Sequence, residues 1–147
     1  MSDDTDALAI SLFSEMLAAD QMVRNRLSRV LPKGMEISHF SVLNHLAWHE
    51  GERTPAQLAE VFNVTRGAMT NTLGKLEWAG YIHIRPDWDD ARRKLVAISP
   101  AGKKARDQAL SSVAPVVSDI VKQIGADQVR TTIPTLRALR RKLAPKA

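Results

Sequence analysis

Residues 54–84, TPAQLAEVFNVTRGAMTNTLGKLEWAGYIHI, decide how this chain folds. Thr54-Pro55-Ala56-Gln57 is a capping box with proline at the first helical position. It predicts a short helix over residues 55–62 with Leu58, Ala59 and Phe62 turned inward. Asn63-Val64 makes a tight turn, and Thr65 caps a second helix over 66–79 that Gly80 ends. In that helix Met69, Leu73 and Leu76 recur at i, i+4 and i+7, a stripe that faces a core. Two short helices across a tight turn form a helix-turn-helix, whose second helix can enter a DNA major groove.

The hydrophobic period changes directly after Gly80. Residues 81–85 (YIHIR) and 94–98 (KLVAI) alternate as strands. The polar, turn-rich stretch 86–93 (PDWDDARR) reads as the loop between them. Helix-turn-helix plus hairpin is a winged helix. Upstream, a long helix is expected over 5–31, stopped by Pro32-Lys33-Gly34, and a second over 39–49 with Ser38 as its N-cap and Gly51 after its end. Downstream, Ser99-Pro100 caps a helix that runs to Ile124 and ends at Gly125. Asp127 is expected to cap a last helix carrying Val129, Ile133, Leu136, Leu139 and Leu143. Pro115 and Pro134 fall inside these two helices, where an interior proline loses a hydrogen bond, so a kink or short break is expected at each. The fold class is therefore mainly α with a small β-hairpin wing. One domain spans 1–147, with a winged helix-turn-helix lobe at 36–99.

Composition agrees with a single folded domain. The chain has 147 residues, 44% hydrophobic and 25% charged, which excludes a disordered or collagenous protein. No run approaches about 18 consecutive apolar residues, and the acidic start Met1-Ser2-Asp3-Asp4-Thr5-Asp6 lacks the basic opening of a signal peptide. A soluble cytoplasmic protein without membrane contact is expected. With no cysteine, disulfides, thiolate metal sites and thiol nucleophiles are excluded. The formal net charge is +5, which permits nucleic-acid binding, and its distribution is polar. Asp3, Asp4 and Asp6 open the chain, whereas Arg137, Arg140, Arg141, Lys142 and Lys146 close it. The long apolar faces of the first and last helices exceed what the small central module can cover. Pairing with a second copy is the simplest way to bury them, and it would set acidic N-termini near basic C-terminal helices.

The second helix of the helix-turn-helix presents Arg66, Gly67, Thr70, Asn71, Gly74 and Lys75 opposite its core stripe. Arg66 can hold guanine O6 and N7 in a fork, and Asn71 can do the same with adenine N6 and N7. Thr70 suits a phosphate or a thymine methyl, Lys75 a phosphate, and the bare backbone at Gly67 and Gly74 permits close approach. In the wing, Arg92 is the candidate for a narrow minor groove, oriented by Asp90, with Arg93 and Lys94 on phosphates. Asp87 and Asp89 repel phosphate and should point away or fix the turn. No phosphate loop, GxSxG or HExxH is present, so neither enzyme activity nor a cofactor is expected. His45 and His49 sit at i, i+4 with His39 nearby, but no carboxylate cluster or thiol joins them, and no metal site is expected.

These pieces, in this order and spacing, resemble the MarR family of bacterial transcriptional regulators. Residues 37–46 resemble the family's second helix, 54–60 its segment leading into the helix-turn-helix, and 65–82 its recognition helix and exit into the wing. Asp90-Ala91-Arg92-Arg93 resembles its wing-tip acid-x-arginine motif, and 98–102 (ISPAG) the join to its fifth helix. The resemblance implies a homodimer with dimerisation regions at 1–34 and 100–147. It implies two lobes on a pseudo-palindromic operator of double-stranded DNA, and repression relieved by a small aromatic or lipophilic effector. The implied effector pocket lies between the dimerisation helices and the lobe, with Phe13, Met16, Leu17, Phe40, Leu43 and Trp48 as candidate walls. Two other readings remain open at this stage: a winged helix serving protein–protein assembly, and a DNA-binding protein indifferent to sequence.

Overall fold

The computed structural model describes residues 3–49 and 51–145, so Lys146 of the basic tail lies outside the described residues, as do Met1 and Ser2. The elements run α1 (Asp3–Val30), α2 (Ile37–Trp48), α3 (Pro55–Val61), α4 (Arg66–Trp78), β1 (Ile82–Asp87), β2 (Asp90–Ile98), α5 (Pro100–Ile124) and α6 (Ala126–Leu143). No helix among the described residues is long and apolar enough to cross a membrane.

The helix-turn-helix forms as its caps dictate. Thr54 Oγ1 accepts from the Gln57 N–H at 3.1 Å, and Gln57 Oε1 accepts from the Thr54 N–H at 2.9 Å. Asn63 takes the left-handed conformation, φ 52°, which asparagine tolerates better than most residues, and this makes the turn tight. Leu58 and Ala59 from α3 meet Met69, Leu73 and Leu76 from α4 in one core, joined by Val42, Leu43 and Leu46 of α2, Ile82 and Val96 of the wing and Ala105 of α5. A second, smaller cluster joins Leu31 to Ala109 and Val113 of α5, with Phe40 packed against it.

Four expectations need correction. Helix α2 starts at Ile37 with Glu36 as its N-cap, not Ser38, because the His39 ring takes the Glu36 N–H on Nδ1 at 3.1 Å. Helix α6 starts at Ala126, and Gly125, φ 118°, is both the end of α5 and the cap of α6. Asp127 lies in the first turn and pairs with Arg130 instead. The strands extend well into the expected loop, leaving only Trp88-Asp89 as the turn. Finally, α5 and α6 are continuous through Pro115 and Pro134, so the short break expected as the alternative to a kink is absent. The carbonyls each ring leaves without a donor belong to Ser111 and Arg130, both exposed, so water can satisfy them.

The wing is antiparallel, with Ile82 opposite Ile98 and Pro86 opposite Lys94. The register then jumps to Asp87 opposite Asp90, so residues 91–93 bulge out of the ladder. A third chain segment joins at the other end: Arg53 and Val96 exchange both backbone hydrogen bonds, at 3.0 and 2.7 Å.

The end of α4, the end of β2 and the start of α5 meet at Ser99. Its Oγ donates to the Gly80 carbonyl at 2.6 Å and accepts from the Gly102 N–H at 3.0 Å, while its own N–H donates to the Tyr81 carbonyl at 2.9 Å. A Cβ on Gly102 would lie 2.0 Å from the Tyr81 carbonyl oxygen. Gly102→Ala is therefore expected to cost at least about 1–3 kcal/mol of stability, because backbone must shift to admit the methyl. Urea unfolding checks it, and an unchanged midpoint would contradict the close approach.

Candidate nucleic-acid interface

Burying Met69, Leu73 and Leu76 forces the opposite side of α4 into solvent. Arg66, Gly67, Thr70, Asn71, Gly74 and Lys75 are all exposed there. Thr65 Oγ1 takes the Ala68 N–H at 3.1 Å, so the helix begins sharply just before Arg66. Gly74 has open space where a Cβ would stand, so the fold does not demand glycine at that position. Its effect is to leave backbone bare on the presented face. Lys75 lies at the edge of this face, its Nζ 3.9 Å from a Glu36 carboxylate oxygen.

The wing presents its arginines through carboxylates. Asp90 Oδ1 accepts from both the backbone N–H of Arg92, at 3.1 Å, and its Nε, at 3.2 Å. The Arg92 side chain sits in the bulge and is still 91% exposed, so it is oriented without being covered. Asp87 accepts the Asp89 N–H at 2.9 Å and lies 3.5 Å from Arg93 Nε. Its charge is thus spent on the turn, as the sequence suggested.

Sequence reasoning missed the brace behind the wing. Arg85 donates to Glu52 through Nε at 2.8 Å and through a terminal nitrogen at 2.6 Å, and its guanidinium lies 5.8 Å from the centre of the Trp88 ring. The hydrogen bond to Glu52 holds the Arg85 pKa above its ordinary value. No periodic signal links residues so far apart in the chain.

The six candidate effector residues are dispersed. Leu43 is wholly buried in the main core, and Phe40 packs on the smaller cluster. Trp48 is 73% exposed, with the Arg106 guanidinium 5.8 Å from its ring. Phe13 and Leu17 are exposed on α1, and Met16 is half-buried. A cleft of about 370 Å³ beside α4 draws on other residues, among them Arg24, Ser38, Phe62, Ala68 and Asn71.

The His45 and His49 rings lie 4.1 Å apart, and His49 Nδ1 takes a hydrogen bond from Arg53 at 2.7 Å. Among the described residues no group of three or more His, Asp or Glu side chains is arranged to hold a metal ion. His45 Nε2 is buried without a partner.

The family model described as MarR family matches residues 33–93. The multiple antibiotic resistance protein MarR of Salmonella typhimurium is 30% identical over 127 residues, which cover 86% of this chain and 83% of that protein. The chain belongs to the MarR family. Members of this family are DNA-binding transcriptional regulators. A MarR mutant from E. coli complexed with operator DNA shares the fold at a TM-score of 0.73 and 24% identity, covering 99% of this chain and 100% of that one. CouR from Rhodococcus jostii RHA1, solved bound to p-coumaroyl-CoA, does so at 0.78 and 19%, covering 89% and 92%.

Burial is the largest influence on His39 and His45 and lowers both below the ordinary 6.5. At His39 the Glu36 charge opposes it, and at His45 the His49 and Arg53 charges add to it. The unfolded chain therefore takes up these protons first. Stability is full above 6.5 and declines as the pH falls through 6.5 toward the lower folded values. Urea midpoints measured from about pH 7.5 to 5.5 are expected to fall, and to fall less steeply in His45→Gln. Equal slopes would contradict the assignment to His45.

Proposed function

We propose that the protein is a ligand-responsive repressor that binds a pseudo-palindromic operator as a homodimer, with one α4 in each of two successive major grooves and Arg92 of each wing in the flanking minor groove. The observation that carries this is the pairing, on one rigid lobe, of an exposed polar face on α4 with an arginine held outward by Asp90. Arg66, Thr70 and Asn71 would read bases. Gly67 would allow close approach, and Lys75 and Arg93 would meet phosphates. The E. coli relative solved with operator DNA supports the same use of the fold.

The dimer rests on faces that one chain leaves bare. Helices α1 and α6 bury no residue at all, yet carry Leu8, Ile10, Leu12, Phe13 and Leu17, and Ile133, Leu136 and Leu143. Faces of that extent mark an interface. Residues 1–34 and 100–147 would form it around the 36–99 lobe. Between α3 and the end of α6 lies a cleft of about 530 Å³ walled by Arg137, Arg140 and Arg141, with Glu60 as its acidic member. The acidic first turn of a partner's α1, with Asp3, Asp4 and Asp6, complements that wall.

Ligand response is supported by relatives such as the one bound to p-coumaroyl-CoA. A small aromatic or lipophilic acid would sit where α1 and α2 approach the lobe of the assembled dimer, against Phe13, Met16, Leu17, Phe40 and Trp48. Leu43 would back that wall from within the core. The ligand acts by favouring a spacing of the two lobes that the operator does not match.

Selection of bound fragments from a random DNA pool tests the reading. Enrichment of a pseudo-palindrome with half-sites about 34 Å apart is expected. Binding without enrichment would favour sequence-indifferent coating, and no binding at low salt would favour protein–protein assembly. On an enriched duplex, Arg66→Ala or Asn71→Ala should cost about 1–3 kcal/mol and relax preference at one base pair. Arg92→Ala should weaken binding and lower the slope of log affinity against log salt by about one. An unchanged slope would remove Arg92 from the contacts. Replacing Asp3, Asp4 and Asp6 with asparagine should weaken the dimer at low salt, which sedimentation checks.

A further inference from the structure

We infer that Trp78 is a DNA contact: its indole packs on the sugar–phosphate wall of the major groove and adds affinity that is blind to both sequence and salt. The inference rests on the DNA-binding reading of α4.

Trp78 is the last residue of α4 and is 93% exposed. No large apolar side chain among the described residues is more exposed, so its whole face is free to meet a partner. Its place on the helix names that partner. Gly67, Asn71, Gly74 and Trp78 follow one another at four, three and four residues, which puts them on a single stripe directly opposite Met69, Leu73 and Leu76. Trp78 therefore continues the face that carries the candidate base readers. It stands about 10 Å along the helix from Asn71, at 1.5 Å per residue. The major groove is only about 12 Å wide, so a helix whose first two turns meet base edges brings its last turn to the groove wall.

The surroundings fit a backbone contact. Trp78 borders a cleft of about 320 Å³ with Lys33, Met35, His39, Lys75 and Tyr81. Lys33 forms no ion pair among the described residues, and Lys75 is only loosely paired with Glu36 at 3.9 Å. Two ammonium groups beside an indole suit a phosphate and its deoxyribose: the lysines take the charge, the ring covers the sugar, and the indole N–H can donate to a phosphate oxygen. Glu36 and Glu77 are the opposing charges: Glu36 is loosely paired with Lys75, and Glu77 directly precedes Trp78 on α4. The bare backbone at Gly74, one turn before Trp78, lets the wall come close.

The test compares the unaltered chain with Trp78→Ala, Trp78→Phe and Lys75→Ala on two duplexes of equal length, one enriched by selection and one of random sequence. Trp78→Ala is expected to weaken binding about tenfold on both, with the salt slope unchanged because no charge is lost. Trp78→Phe should fall between, and Lys75→Ala should lower the slope by about one. The part of the tryptophan emission change on duplex addition that belongs to Trp78 should vanish in Trp78→Phe. Trp78→Ala binding both duplexes as tightly as the unaltered chain would overturn the inference while leaving the DNA-binding reading intact. A loss confined to the enriched duplex, or accompanied by a change in dimer mass, would overturn it as well. Failure of the unaltered chain to bind any duplex at low salt would overturn both. Circular dichroism of each variant checks that the exposed substitution leaves the fold intact.

Discussion

Three elements with different jobs are fastened at one serine. Ser99 donates to the Gly80 carbonyl just past the end of α4, accepts from the first turn of α5, and closes the wing strand onto Tyr81. Gly102 lets α5 approach until no side chain would fit between it and the Tyr81 carbonyl. Packed protein does not deform smoothly, so a contact this close transmits displacement. Any tilt of α5 relative to the lobe is carried to α4 and to the wing together. The part of the chain with unpartnered helices and the lobe that carries α4 and the wing are thereby coupled through a joint of two residues.

Electrostatics at the wing depends on acids as much as on bases. Glu52, Asp87 and Asp90 each bind an arginine, yet surface pairs of this kind contribute little stability. Their effect is geometric. Glu52 ties the base of the wing to the segment before α3. Asp87 sets the turn, and Asp90 aims Arg92 out of the bulge. The net positive charge of the chain would attract any polyanion, and these carboxylates decide where an arginine can meet it. Trp78 adds to this arrangement a contact that carries no charge.

Much of this was legible in the sequence because it is local. The Thr54 box, the Asn63 turn, the Thr65 cap and the Met69–Leu73–Leu76 stripe are all read within a few residues of one another, as is the Ser99 cap of α5. The pairing of Asp90 with Arg92 lies two residues apart and was equally visible. What escaped was non-local or depended on competition. Arg85 finds Glu52 across 33 residues, and Arg53 finds Val96 across a larger separation still. Ser38 is the better cap by residue type, but the His39 ring settles the start of α2 two residues earlier. The prolines of α5 and α6 sit where water can take over from the lost donor. Leu43 shows why the effector walls were hard to read: a leucine on an inward helix face looks the same whether a core or a ligand lies behind it.

The proposed function requires α4 and its wing to meet DNA as two copies in register. Hydroxyl-radical footprinting of the purified protein on a duplex enriched by selection tests it most directly. Two patches of protected backbone about 34 Å apart are expected, each flanked by further protection that disappears in Arg92→Ala. A single patch, or even protection along the whole duplex, would contradict it.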